Sequence, residues 1–173
     1  ILHPTKPVVC VVHGLDLTFQ SSLYQKLWVG FFLKKIDKLI AVGNETVKVA
    51  IEKGVFSEKI IFIPNGVDTE KHLIESSQAE FEKVIGQATE NKKVLLTSGR
   101  LAKRKGVAWF IANVMPKLPE DFLYIVAGNG PDKENIAKTI TENKLEGKVL
   151  TLGYISDEHK NILLNTVDLF VQP

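Results

Sequence analysis

The sequence predicts an α/β protein built on two mainly parallel sheets, and three observations carry that prediction. Short β-branched runs alternate with longer amphipathic ones along the 173 residues, the pattern left by βαβ units. Four of the short runs end directly at glycine: Gly14 (after His13), Gly99, Gly128 and Gly153. Between Thr69 and Lys93 the composition turns polar, rich in Glu, Lys, Gln and Ser, which divides the chain into two units.

Taken in order, the strand candidates of the first unit are Val8 to Val12, Leu39 to Val42 and Ile60 to Ile63. Between them lie helical stretches from Ser21 to Ile36, with Leu23, Leu27 and Phe31 on one face, and from Glu45 to Lys53. The boundaries fall at residues 1–68 for the first unit, 69–92 for a polar interdomain segment and 93–173 for the second unit. Within the middle segment only Phe81, Val84 and Ile85 form a weak helical stripe. The second unit has strand candidates Val94 to Ser98, Leu123 to Ala127, Val149 to Leu152 and Leu169 to Val171. Its helices run over Val107 to Met115, Lys133 to Asn143 and Asp157 to Leu164. Ser156 before Asp157 and Glu158 reads as an N-cap with an acidic first turn, which suits the helix dipole.

Composition excludes several function classes. With 45% hydrophobic and 24% charged residues the chain is ordinary globular material, large enough to bury roughly 70% of its surface. A net charge of +2 gives no broad field for nucleic acid, and no aromatic residues interleave with the basic ones of the run from Gly99 to Gly106 to stack bases. The single Cys10 rules out an internal disulfide and fits a reducing, cytoplasmic setting. No run approaches the roughly 18 apolar residues of a membrane span. The first residue is Ile1 and the only methionine is Met115, so the sequence reads as a piece of a longer protein.

The candidate chemistry sits where strands meet loops. In an open parallel sheet the carboxyl ends of the strands line one edge, and ligands bind there. A glycine at that edge lets the backbone approach a ligand, although each glycine taken alone is also an ordinary strand-ending turn. The loop Gly99-Arg100-Leu101-Ala102-Lys103-Arg104-Lys105-Gly106 is the most informative. Arg100 can fork onto phosphate oxygens and Lys105 can place a compact charge beside them, with a helix start adding N–H groups. The bland alternative is a solvated basic loop. Gly128-Asn129-Gly130-Pro131 is not a dinucleotide fingerprint, because Lys133 stands where the third glycine would be. Pro131 is read as the first residue of the following helix. His13 and Asp16 put an imidazole and a carboxylate at the end of the first strand. His3, His72 and His159 show no ligand spacing, and no two aspartates stand two apart, so no metal is expected.

The motifs HGLD, PNGVD, GRLAKRKG, AGNGP and GYISDE, in that order and at these separations, resemble the family 4 (group 1) glycosyltransferases with the GT-B fold. The resemblance covers essentially the whole chain, and the GR followed by KG is its strongest element. It implies two Rossmann-like domains facing a cleft, both incomplete here. Residues 1–68 would be the later part of the acceptor-side domain, and residues 93–173 would belong to the nucleotide-sugar domain. It further implies that Arg100 and Lys105 hold the donor diphosphate and stabilise it as it leaves, while His13 faces the transferred sugar. Gly14, Asp16, Gly99, Gly128, Gly130, Tyr154 and Ile155 would lie around the donor, the last two at the nucleobase. The activity so implied is transfer of a sugar, with retention, from a nucleoside diphosphate sugar to a glycan, lipid or small-molecule acceptor, without cofactor or metal. The implied partners are that donor and a saccharide or lipid-linked acceptor, not nucleic acid, with peripheral contact at the inner face of the membrane for the full-length protein. Relatives carry a pair of glutamates just past the strand that ends here at Pro173, so the piece by itself is expected to be inactive. Where many relatives have an acidic residue before the loop lysine, this chain has Arg104. Two other readings stay open: a nucleotide-sugar-binding module without catalysis, and a sugar-nucleotide epimerase on the same fold.

Overall fold

The structure, a computed structural model, describes residues 6–70 and 74–173; His3 and His72 lie outside them. The chain divides into two compact units, Ile1–Val67 and Asp68–Pro173.

The first unit holds strands β1 (Val9–Val12), β2 (Lys38–Ala41) and β3 (Ile60–Phe62) in one parallel sheet of order β1-β2-β3. After β1 come a short helix α1 (Leu15–Thr18) and a single turn α2 (Ser22–Tyr24), which runs on as a π-helical stretch over Gln25–Phe32. Helix α3 (Asn44–Glu52) joins β2 to β3. The core gathers Val12, Leu17, Val29, Leu33, Leu39 and Ala50, all almost fully buried.

One feature differs from expectation and another agrees with it. The inward face of the helical stretch is Val29, Leu33 and Ile36, so the stripe of Leu23, Leu27 and Phe31 points to solvent. An apolar residue every fourth position fits two faces of this segment, and burial in the first unit's core selected the one that includes the β-branched Val29. In the sheet, Val9, Val11 and Ile61 share a face that stays exposed. Parallel sheets are ordinarily covered on both faces, so this unit is an incomplete one, as expected.

The second unit contains α4 (Gln78–Ile85), β4 (Lys93–Ser98), α5 (Val107–Asn113), β5 (Phe122–Ala127), α6 (Lys133–Glu142), β6 (Val149–Gly153), α7 (Asp157–Thr166) and β7 (Leu169–Phe170). Its sheet is parallel with order β6-β5-β4-β7. Alternate residues of the central strands enter two cores. Leu95, Tyr124 and Val126 pack with Ile111 of α5 and Ile136 of α6, while Leu96, Leu123 and Ile125 pack with Phe81 of α4 and Leu163 of α7. Burial on both faces explains why β4 and β5 read as continuous apolar runs rather than alternating ones.

The presence of α4 corrects the expectation that residues 69–92 form a polar interdomain segment. Ser77 and Glu80 make a reciprocal capping box, Gly86 closes the helix in the left-handed region (φ 76°), and Phe81 and Ile85 are buried in the second unit's core. Two apolar residues at helical spacing were enough to dock an otherwise polar helix. Ser156 caps α7 as expected, its hydroxyl accepting from the His159 N–H at 3.1 Å. Pro131 is not the first residue of α6; it lies in a turn two positions before Lys133.

Candidate functional site

Chain order in the second sheet runs from β4 through β5 to β6 and then returns to the other side of β4 with β7. The order therefore reverses between β4 and β7, and the carboxyl edge beside such a reversal is where open α/β sheets hold ligands. The loops after β4, β5 and β6 all emerge at that edge.

Backbone contacts stitch these loops together. The Gly128 N–H donates to the Gly153 carbonyl at 2.6 Å, the Gly99 N–H to Ala127 at 2.9 Å and the Leu101 N–H to Asn129 at 2.9 Å. The close approach demands glycine. A Cβ on Gly128 would collide with the Gly99 carbonyl, and one on Gly130 with the backbone of Leu101. Gly99 and Gly128 also have φ of 148° and 143°, which side chains rarely adopt. Two of the expected donor glycines are thus fixed first by the fit of one loop against the next.

Gly99, Arg100, Gly128, Tyr154 and Ile155 line one open cleft of about 330 Å³. Tyr154 is 84% exposed at its rim, and the Arg100 side chain is exposed. Gly130 lies behind this surface, against Leu101, and Lys105 does not line it. Lys105 ends a turn of 3-10 helix over Lys103–Lys105, directly before Gly106, which is left-handed with φ 73°. A Cβ on Gly106 would come within 3.2 Å of Pro173. The lysine therefore stands at the reversal point between β4 and β7, on the same loop as Arg100 but away from the Tyr154 cleft.

Sequence reasoning missed five lining residues, the strand ends Ser98 and Ala127 together with Asn129, Asp157 and Lys160. Asn129 sits between two strand-end glycines, where its Oδ1 accepts from the Gly130 N–H at 2.9 Å. Asp157 and Lys160 occupy the first turn of α7 and pair at 2.6 Å. The available signal was that a helix starting just after a strand-end glycine brings its first turn to the ligand edge.

In the first unit, His13 is exposed at the carboxyl end of β1 and Gly14 turns the chain with φ 96°. The Asp16 carboxylate accepts the His13 N–H at 2.7 Å and so closes this turn. The Asp16 carbonyl accepts the Tyr24 hydroxyl at 2.9 Å. Burial, aided by the Asp16 charge, raises both the Tyr24 hydroxyl and the Cys10 thiol above their ordinary values. Asp16 therefore holds the loop that carries His13.

Comparison with known proteins gives this arrangement a family. Residues 78–173 match the model of glycosyl transferases group 1, and residues 1–71 match that of glycosyltransferase family 4. The chain is 27% identical over 94% of its length to an alpha-galactosylglucosyldiacylglycerol synthase of Streptococcus pneumoniae. It is 28% identical over 96% of its length to a UDP-Gal:alpha-D-GlcNAc-diphosphoundecaprenol alpha-1,3-galactosyltransferase of Escherichia coli. In both cases it covers 46% of the relative, so the chain spans about half the length of the curated relatives it matches. The crystal structure of Anabaena HepE in complex with UDP superposes with a TM-score of 0.81 at 20% identity, over 96% of this chain and 46% of that one. The fold is thus that of the GT-B glycosyltransferases, and the chain belongs to the group 1 glycosyl transferases.

Proposed function

We propose that this chain carries the nucleoside diphosphate sugar site of a retaining glycosyltransferase whose acceptor is a saccharide or a lipid-linked saccharide. The observation that carries the reading is the convergence of Gly99, Arg100, Gly128, Tyr154 and Ile155 on one cleft at the carboxyl edge of a parallel sheet. In this proposal the flat, exposed Tyr154 and the backbone at Ile155 meet the nucleobase. Glycine backbones let the ribose and diphosphate approach, and Arg100 forks onto the phosphates. Lys105, on the same loop, adds charge toward the reversal point of the sheet. As the bond between sugar and diphosphate breaks, negative charge gathers on the departing phosphate, and fixed cations there stabilise the transition state more than the ground state. The two side chains take the place of a metal ion. His13 is assigned to the transferred sugar by family resemblance, and its exposed imidazole at the end of β1 is accessible for that role.

Relatives support a lipid-linked acceptor, since one is named for a diacylglycerol glycolipid and another for a diphosphoundecaprenol substrate. Action at the inner face of the membrane, through peripheral contact, follows from that reading. Among the described residues no helix is long and apolar enough to cross a bilayer.

Calorimetry with UDP and GDP on the chain and on its Arg100→Ala and Lys105→Ala variants tests the site. Removing the Arg100 guanidinium is expected to cost about 1.5 to 3 kcal/mol of binding, the worth of hydrogen bonds to charged groups. Unchanged affinity in both variants would sink the assignment.

A further inference from the structure

The stretch from Phe19 to Ile36 is apolar on both sides. Its inward face is Val29, Leu33 and Ile36, yet Leu23 is 69%, Leu27 47% and Phe31 49% exposed on the outward one. A helix facing water on one side ordinarily carries polar residues there. Instead Leu23, Leu27 and Phe32 border a single shallow apolar depression together with Phe19 and the rings of Tyr24 and Trp28. A contiguous apolar patch of this kind marks an interaction surface.

Charge identifies the partner. From Leu17 to Ile36 there is no acidic residue, while Lys26, Lys34 and Lys35 are exposed. Lys35 reaches over the Phe31 ring with its Nζ 3.9 Å from the centroid, its stem lying along the apolar surface. Lysine is depleted at protein–protein contacts, whereas Leu, Phe and Trp beside lysine are the composition of segments lying at the boundary of an anionic bilayer.

We propose that the surface from Phe19 to Lys35 docks this protein on an anionic lipid bilayer, its apolar side chains entering the headgroup boundary and its three lysines meeting lipid phosphates. This rests on the membrane contact in the proposed function and names the surface that makes it. Vesicle binding is read without nucleotide and UDP binding without vesicles, so each reading can fail alone.

The test is sedimentation of this chain, and of the full-length protein, with vesicles of phosphatidylglycerol or phosphatidylcholine. Both proteins are expected to sediment with the anionic vesicles and remain in solution with the neutral ones. In a Trp109→Phe background the Trp28 emission should shift to the blue on binding. Leu27→Glu and Phe31→Glu should abolish binding. Lys26→Gln, Lys34→Gln and Lys35→Gln should each weaken it roughly fivefold, and these exposed changes decide the matter if a glutamate variant fails to fold. Failure to bind anionic vesicles, equal binding to neutral ones, or indifference to the lysine changes would overturn the proposal. Binding by this chain but not by the full-length protein would overturn it too, by showing that other protein covers the patch. A dimer dissociated by Leu27→Glu, without vesicle binding, would assign the patch to a second copy instead.

Discussion

The carbonyl of Gly99 occupies the space that a Cβ on Gly128 would need. The two glycines end neighbouring strands, β4 and β5, and their contact is what lets the loops after those strands lie side by side under the candidate donor cleft. A backbone-to-backbone fit cannot relax by turning a side chain.

Gly128→Ala is therefore expected to destabilise the chain by at least about 1 to 3 kcal/mol, the cost of holding a strained backbone, with the steric clash added. UDP affinity should fall alongside. Chemical denaturation and calorimetry check this, and a variant as stable and as tightly binding as the parent would show that the loops separate freely.

Phe81→Ala should cost about 3 to 5 kcal/mol, the usual price of deleting a buried ring. Phe81 is 1% exposed in the core shared by α4, β4, β5 and α7. The loss should appear as earlier unfolding of the second unit, followed by hydrogen exchange at Leu96 and Ile125. Unaltered exchange there would mean that residues 78–85 are a linker after all.

Tyr124 gives the fold an alkaline limit. Burial pushes its hydroxyl up from 10.0 to about 12, against the partly opposing hydrogen bond with Thr97. Below pH 10 the ring is protonated in folded and unfolded chain alike. Between pH 10 and about 12 only the unfolded chain ionises, so stability should fall with rising pH across that window, by roughly 3 kcal/mol in all. Tyr124→Phe should flatten this part of a stability-against-pH curve, and an unchanged slope would contradict the assignment.

Asp16→Asn should lower the Cys10 thiol toward its ordinary value, because the Asp16 charge is the second cause, after burial, of its elevation. Alkylation of Cys10 at mildly alkaline pH should accordingly speed up. The same change weakens the bond that the His13 N–H donates, because a neutral amide oxygen is a poorer acceptor than the Asp16 carboxylate. An alkylation rate no different from the parent's would count against the coupling.

If Arg100 and Lys105 replace a metal at the diphosphate, UDP should bind this chain equally well in EDTA and in magnesium. Affinity that appears only with a divalent ion would refute that part of the proposed function.

Much of this was legible in the linear chain because it depends on local chemistry. The seven strands of the described residues lie where β-branched or aromatic runs end at turn residues, since strand and turn preferences act over a few neighbours. Gly99, Arg100 and Gly128 could be picked out because strand ends in a parallel sheet converge whatever the details of packing, while Tyr154 and Ile155 came from the family resemblance alone. Ser156 announced α7 for the same reason, a cap being a contact between residues three apart.

What the sequence by itself determined is the alternation of strands and helices, the glycine-marked ligand edge and the basic loop between Gly99 and Gly106. Only the tertiary structure decided three other matters. It assigned α4 to the second unit, because two buried side chains outweigh a polar composition once a core exists to receive them. It turned Leu23, Leu27 and Phe31 outward, because a helix with two apolar stripes can bury either one and the core of the first unit received Val29 and Leu33. It also showed that Gly128 and Gly130 are glycines because neighbouring backbones, those of Gly99 and Leu101, already fill the space a side chain would need. Contacts between strands distant in sequence set each of these outcomes, and periodicity along one chain carries no record of which partner a face will meet.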